Sequence, residues 1–155
     1  MTPPGVTLHP TGPGEIDDVL AMEADPDTRP WLGESSRSWH AGALAAGDVE
    51  HLTARRDGEP VGFVVLAGPR GGETGTELRR IVVAAGHRGR GTGRAMLHAV
   101  LERVGPGRVW LDVKPGNARA LALYAGAGFV VERELPADPR DPGGPVALVV
   151  LARQV

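Results

Sequence analysis

A turn rich in glycine and arginine is the feature of this sequence that most limits how the chain can fold. The turn, Arg88–Arg94, reads RGRGTGR and follows an apolar run predicted to be a strand, Glu77–Val83. The run after the turn has apolar residues at helical spacing and predicts a helix ending at Val104. Glycines let another molecule approach the backbone closely, and a helix start offers unpaired amides and a positive dipole end. We therefore predict a pyrophosphate-binding turn.

The spacing within this turn excludes two common phosphate-binding motifs. A P-loop ends in Gly-Lys-Ser/Thr, whereas Lys114 is the only lysine in the chain. A dinucleotide-binding turn needs its own glycine spacing and a later acidic residue, and this turn lacks that spacing. The alternative is a surface turn that binds nothing. The residues predicted to contact the phosphates are Arg88, Gly89, Arg90, Gly91, Thr92, Gly93 and Arg94.

A second segment, residues 117–129, reads NARALALYAGAGF and follows the turn after one more predicted strand. Together, Arg88-x-x-Gly91-x-Gly93 and this segment resemble the acyl-CoA-binding motifs of the GCN5-related N-acetyltransferase (GNAT) family. The resemblance covers roughly residues 77–132. It implies an N-acetyltransferase that uses acetyl-CoA as cosubstrate and acetylates a primary amine. The alternative is a non-catalytic acyl-CoA-binding or regulatory module of the same fold.

The predicted order of elements is strand, two helices, three strands, helix, strand, helix and two strands. This mixture indicates an α/β domain with a mixed sheet. The resemblance implies a single-domain GNAT-like fold, with a mostly antiparallel sheet splayed between strands 4 and 5 and about four flanking helices. Acyl-CoA is expected in the splay. With 155 residues and no visible boundary, we expect one domain over residues 1–155.

Composition narrows the function classes. A net charge of −2 argues against a general nucleic-acid or membrane-surface binder, and no apolar run reaches transmembrane length. The first residues show no signal-peptide pattern, so we expect a cytoplasmic protein. The absence of cysteine excludes a thiol acyl-enzyme and leaves direct attack of the amine on the thioester. The five histidines show no metal-ligand spacing and no catalytic context, so we predict no metal.

The resemblance assigns roles to residues beyond the turn. Ile81, Val82 and Val83 look like core strand residues, yet their backbone is expected to pair with the pantetheine arm of CoA. Asn117 is expected to contact CoA, or only to cap the following helix. Tyr124, the only tyrosine, is expected to protonate the departing thiolate. Its alternative role is to pack against Phe129.

Two carboxylates are candidate general bases, and Glu77 is preferred over Asp112. Glu77 begins the strand expected to hold the thioester, and regular alternation would put it on one face with Ile81 and Val83 unless a bulge intervenes. Asp112 lies within an apolar strand and should be paired or face a cavity. The structural alternatives are an ion pair with a nearby arginine for Glu77 and a hydrogen bond to the turn at 114–117 for Asp112.

The acceptor cannot be identified from the sequence. The resemblance places its pocket near residues 25–46 and 136–145, where Trp31 and Trp39 are candidate lining residues or core residues. A small-molecule or peptide amine is expected. Dimers are common in the family, so a homodimer is left open.

Overall fold

A computed structural model describes residues 5–68, 74–137 and 147–154 of the chain. The strands are β1 (Thr7–Pro10), β2 (Val49–Arg56), β3 (Glu59–Ala67), β4 (Thr76–Val83), β5 (Arg108–Val113), β6 (Val130–Leu135) and β7 (Leu148–Gln154). The helices are α1 (Ile16–Glu23), α2 (Arg37–Ala45), α3 (Thr92–Val104) and α4 (Ala118–Gly126). The predicted order of elements is confirmed. Most of the predicted loop at 136–145 lies outside the described residues.

The strands form one mixed sheet in the order β1-β2-β3-β4-β5-β7-β6. Every neighbouring pair is antiparallel except β4 and β5, which run parallel. The tight turn of the β2–β3 hairpin sets the register between these two strands. Its two turn residues, Asp57 at φ 52° and Gly58 at φ 81°, adopt the left-handed conformation that suits the twist of a tight hairpin.

The sheet has an apolar core on each face. On one face, α3 and α4 cover a large cluster that includes Val64, Leu66 and Met96. On the other face, a smaller cluster holds Phe63 and Val65 beneath α1 and α2. The alternating residues of β3 therefore supply both cores, which is why that strand is almost wholly buried. The splayed mixed sheet and the four helices among the described residues confirm the predicted fold class.

A bulge in β4 changes which side chains share a face. Leu66 pairs with Leu78 and Val65 pairs with Arg80, so Arg79 is an extra residue on β4. Leu78, which precedes the bulge, packs in the same large cluster as Ile81 and Val83, which follow it. In a strand without a bulge, Leu78 would lie on the opposite face from these two residues. Glu77 therefore lies on the α1–α2 face, opposite Ile81 and Val83. The expectation of a common face, which depended on an unbulged strand, is wrong.

Candidate active site

A cleft opens where β4 and β5 separate. The two strands pair only at Thr76 with Val109 and Glu77 with Trp110. Gly75, just before this seam, has φ +77°, and a Cβ there would lie 2.2 Å from the carbonyl oxygen of Arg108. Beyond the seam, residues 78–83 of β4 pair with β3 and residues 111–113 of β5 pair with β7. Within the described chain, the facing edges of β4 and β5 are left without a strand partner, and these edges form the walls of the cleft.

The glycine turn follows the end of β4 that is not paired with β5. Gly89 and Gly91 have φ values of 75° and 72°, which favour glycine, and a Cβ at either position would meet nothing within 4 Å. The space above them is therefore open. α3 begins at Thr92, and its N-cap Gly91 provides no side-chain cap. The first amides of α3 are thus available for an acceptor group, and the helix dipole favours an anion there.

The arginines of the turn differ in what they contact. Arg90 and Arg94 are exposed. Arg88 is instead tied to the loop after α1: its Nη2 lies 2.6 Å from Oδ2 of Asp25 and also contacts the Thr28 hydroxyl. The hydrogen bond and the charge of Arg88 lower the pKa of Asp25 despite partial desolvation. The guanidinium of Arg88 therefore links two loops in this structure, and its predicted phosphate contact remains a prediction.

Thr92 and Asn117 have structural roles at two helix starts. The Thr92 side chain is buried, and its hydroxyl donates to the carbonyl of His87 at 2.9 Å, which closes the turn. Asn117 accepts a hydrogen bond from the amide of Ala120 at 3.3 Å, so the predicted N-cap is confirmed. The predicted contacts of both residues with CoA remain predictions.

Tyr124 lies in the last turn of α4, and its side chain belongs to the large apolar cluster. Its side chain is 6% exposed, and its ring lies 5.7 Å from that of Phe129, so the packing role is confirmed. Burial, and secondarily the charge of Asp112, raise the pKa of the Tyr124 phenol well above its usual range. A phenol with a raised pKa stays protonated at neutral pH and can act only as a proton donor there.

Asp112 and Glu77 lie on the same face of the sheet, Glu77 on the β4 wall of the cleft and Asp112 on the β5 wall. Glu77 forms an ion pair with Arg79, Oε1 to Nη2 at 2.9 Å, so the predicted pairing with a nearby arginine is confirmed. The pKa of Asp112 is raised by desolvation and then by the neighbouring charge of Glu77, with Arg79 opposing. Asp112 makes no hydrogen bond to the described turn at 114–117, where Lys114 bonds to Pro30. That structural alternative for Asp112 is wrong.

The loop between α1 and α2 crosses both walls of the cleft. On the β4 side, Arg80 donates to the carbonyl of Glu34 at 2.8 Å. On the β5 side, Lys114 Nζ donates to the carbonyl of Pro30 at 2.8 Å, and the ring of Trp31 lies over Gly116. Trp31 is 41% exposed, an unusual state for so large an apolar ring. Trp31 therefore lies at the cleft, whereas Trp39 packs in the smaller core beneath the guanidinium of Arg80.

A buried polar network behind this loop was missed by the sequence reasoning. Glu23, 1% exposed, accepts from Arg80 at 2.6 Å, from Ser35 at 2.7 Å and from His40. His40 continues to His51 at 2.9 Å, and His51 continues to Thr11 at 2.9 Å. These contacts link residues far apart in the sequence, so no local spacing predicts them. The only signal was the presence of polar residues in otherwise apolar segments.

Opposing effects fix the charges in this network. Burial alone would raise the pKa of Glu23, but hydrogen bonds from His40 and Ser35 and the charge of Arg80 outweigh it, so the pKa is lowered. Burial lowers the pKa of His51 to about 4. At neutral pH Glu23 is therefore an anion paired with Arg80, and His51 is neutral. The network anchors α1, α2 and the intervening loop to β4.

The described residues contain neither a metal-binding cluster nor a membrane-spanning helix. No cluster of three or more His, Cys, Asp or Glu side chains with metal-binding geometry occurs in residues 5–68, 74–137 and 147–154. Over the same residues, no helix is both long enough and apolar enough to cross a membrane.

Comparison with known proteins gives consistent matches. The model of the acetyltransferase (GNAT) family matches residues 16–129. A mycothiol acetyltransferase of Kineococcus radiotolerans is 39% identical over 140 residues, which is 86% of this chain and 45% of that protein. The chain spans about half the length of the curated relatives that it matches first.

Solved structures share the fold over almost the whole chain. The ribosomal-protein-S18-alanine N-acetyltransferase of Escherichia coli superposes with a TM-score of 0.76 at 18% identity, covering 97% of this chain and 94% of that one. The spermidine N-acetyltransferase of Vibrio cholerae, in complex with CoA and spermine, gives a TM-score of 0.75 at 16% identity, covering 96% and 95%. At these identities the likeness establishes the fold.

Proposed function

This chain belongs to the acetyltransferase (GNAT) family, and from that premise we propose that it transfers an acetyl group from acetyl-CoA to a primary amine. The observation that carries the proposal is the cleft between β4 and β5, which combines an unpaired strand edge with an uncapped helix start. An amide-rich pantetheine arm can pair with the edge of β4 at Ile81–Val83. A pyrophosphate can bind at the amides of Gly91–Gly93.

The reaction we propose is a direct attack. The amine nitrogen forms a bond to the thioester carbon, the carbon–sulfur bond breaks, and CoA leaves as a thiolate. The chain has no cysteine to form a thiol acyl-enzyme. A free amide on the β4 edge, near Val83, would polarise the thioester carbonyl. Tyr124 would then protonate the departing thiolate, since its phenol carries a proton at neutral pH.

For the general base, the contacts favour Asp112 over the initially preferred Glu77. Glu77 is already held in an ion pair with Arg79, so its carboxylate is partly occupied. Asp112 has a raised pKa, and its charge also raises the pKa of Tyr124. We propose that Asp112 accepts the amine proton, directly or through a water, and that Glu77 raises its basicity.

The acceptor class is proposed from the site and the neighbours together. Glu77 and Asp112 make the cleft wall acidic, which suits an amine that arrives as a cation. The solved neighbours act on such groups by their names: a ribosomal-protein alanine and spermidine. Trp31, exposed beside Gly116, would contact the acceptor. We further propose that the chain acts in the cytoplasm as one acetyltransferase domain, either as a monomer or as a homodimer.

The test is an acceptor screen with acetyl-CoA in which free CoA thiol is measured. Spermidine, a peptide with an N-terminal alanine and an amino sugar present three kinds of primary amine. Release of CoA that requires both protein and amine, with the acetylated amine found by mass spectrometry, supports the proposal. Tight binding of acetyl-CoA without turnover on a broad amine panel would instead favour the non-catalytic module. Failure to bind acetyl-CoA would overturn both.

A further inference from the structure

Arg56, the last residue of β2, lies beneath the glycine turn. Its Nη1 donates to the hydroxyl of Thr92 at 3.0 Å, and that hydroxyl in turn donates to the carbonyl of His87 at 2.9 Å. Thr92 is the first residue of α3 and is 1% exposed. A side chain from a distant strand therefore fixes the point at which the turn becomes a helix.

The remaining donors of Arg56 have nothing to bind. Its Nε and Nη2 are buried and have no hydrogen-bond partner in the described part of the chain. The adjacent Arg55 is satisfied by contrast, with Nη2 lying 2.7 Å from Oε2 of Glu15. No carboxylate among the described residues forms an ion pair with Arg56. Two buried donors without hydrogen bonds on one half-buried guanidinium are costly, and such a group calls for an explanation.

The position of Arg56 makes this cost larger. The N-terminus of α3 already carries the positive end of the helix dipole, and Arg90 and Arg94 are exposed nearby on the same turn. The guanidinium of Arg56 is therefore repelled by the positive end of α3 and by the two exposed arginines. An anion bound above Gly89 and Gly91, where the space is open, would offset all of these charges at once. Salt screens such a buried charge much less than a surface charge.

We infer that Arg56 is a positioning residue for the pyrophosphate of the cosubstrate, an inference that rests on the proposed function. Arg56 acts through Thr92, the residue that its Nη1 contacts. It holds Thr92, and through Thr92 the first amides of α3, in place. It also supplies a fixed positive charge beneath the anion. Neither motif in the sequence includes Arg56, and its role follows from the fold alone.

The test compares CoA with pantetheine, which lacks the phosphates, by calorimetry on four proteins. Arg56→Met removes the charge and the donor, and Arg56→Gln keeps an amide donor for Thr92 without the charge. Arg55→Met is the matched control, since it removes the neighbouring arginine from the same strand. For Arg56→Met we expect the Kd for CoA to rise ~10–100-fold, the range for a lost charge-assisted interaction, with pantetheine binding unchanged. Arg56→Gln should recover only part of the affinity.

Thermal melts establish that each variant is folded, and the KM for acetyl-CoA should rise while kcat changes little. An unchanged CoA affinity in a folded Arg56→Gln or Arg56→Met protein overturns the inference and leaves the proposed function standing. Equal losses for CoA and pantetheine would show a general packing role and overturn it too. A wild-type protein that binds neither compound overturns the proposed function itself.

Discussion

Tyr124 shows how one residue can serve packing and chemistry together. Its ring is held against Phe129, so the phenol has a fixed direction, and the same burial raises its pKa. Tyr124→Phe preserves the ring and should leave acetyl-CoA affinity unchanged. We expect kcat to fall by roughly 10²–10⁴-fold, the range for loss of a general acid. Steady-state kinetics with the best acceptor measure this, and wild-type turnover in the variant would reduce Tyr124 to a packing residue.

Asp112 and Glu77 give a prediction in the pH dependence. A base with a raised pKa is protonated, and so inactive, until the pH exceeds that pKa, so kcat/KM should fall on the acid side. Asp112→Asn should abolish most activity at every pH. Glu77→Gln removes the negative charge that helps to raise the pKa of Asp112, so its acid limb should shift to lower pH with activity retained.

The converse result decides between the two carboxylates. Loss of activity in Glu77→Gln, with an active Asp112→Asn, would restore Glu77 as the base. The melting temperature supplies a control with a definite sign. A folded pKa above the unfolded one means that ionisation of Asp112 opposes folding as the pH rises. Asp112→Asn should therefore not lower the melting temperature at neutral pH.

At this scale the sequence predicted residues that belong to contiguous motifs and missed those that do not. Asn117 and Tyr124 were found because their helix carries both within a few positions. Glu23 and Arg80 are 57 positions apart, and their pairing depends on how α1 packs against β4. Arg56 was missed for the same reason. The face of Glu77 relative to Ile81 and Val83 depended on the β4 bulge, which the sequence could only leave open.

Among the elements, β4 has two roles. Its free edge is proposed to bind the thioester, and α1, α2 and the loop between them are anchored to it. Glu23 makes that anchoring contact as a buried anion opposite Arg80. Glu23→Gln keeps the shape and leaves the guanidinium of Arg80 without its counter-charge. Breaking a buried pair on one side should cost ~3–5 kcal/mol of unfolding free energy. Urea unfolding at neutral pH measures this loss.

The matched control for this prediction is Asp17→Asn. Asp17, also on α1, pairs with Arg37 of α2, but both side chains are largely exposed. Exposed pairs contribute little, so this variant should unfold close to the wild type. Equal stability of Glu23→Gln and wild type would mean that Arg80 is satisfied by the Glu34 carbonyl and Trp39 alone.

For the whole molecule, the single sheet predicts a single unfolding event. All seven strands are joined edge to edge, and β3 contributes to the apolar cluster on both faces. We expect one thermal transition, with a calorimetric enthalpy equal to the van't Hoff enthalpy. Two resolved transitions would show that the parts on either side of the β4–β5 seam fold separately, against the proposed single domain. The order of elements was predictable because it depends on local sequence patterns. The splay between strands 4 and 5 was expected only from the family resemblance, and the order of the strands in the sheet was not predicted.

The narrow seam between β4 and β5 also sets how fast different parts of the backbone exchange hydrogen with solvent. Amides on the unpaired edge of β4 need no opening of the sheet before they exchange, whereas amides inside β3 must wait for a larger unfolding event. Deuterium uptake should therefore be early at Ile81–Val83 for the amides that face the cleft, and late at Phe63–Val65. Acetyl-CoA paired with that edge would slow the early set. The same gap that admits the cosubstrate is thus a fast-exchanging line through an otherwise slow sheet.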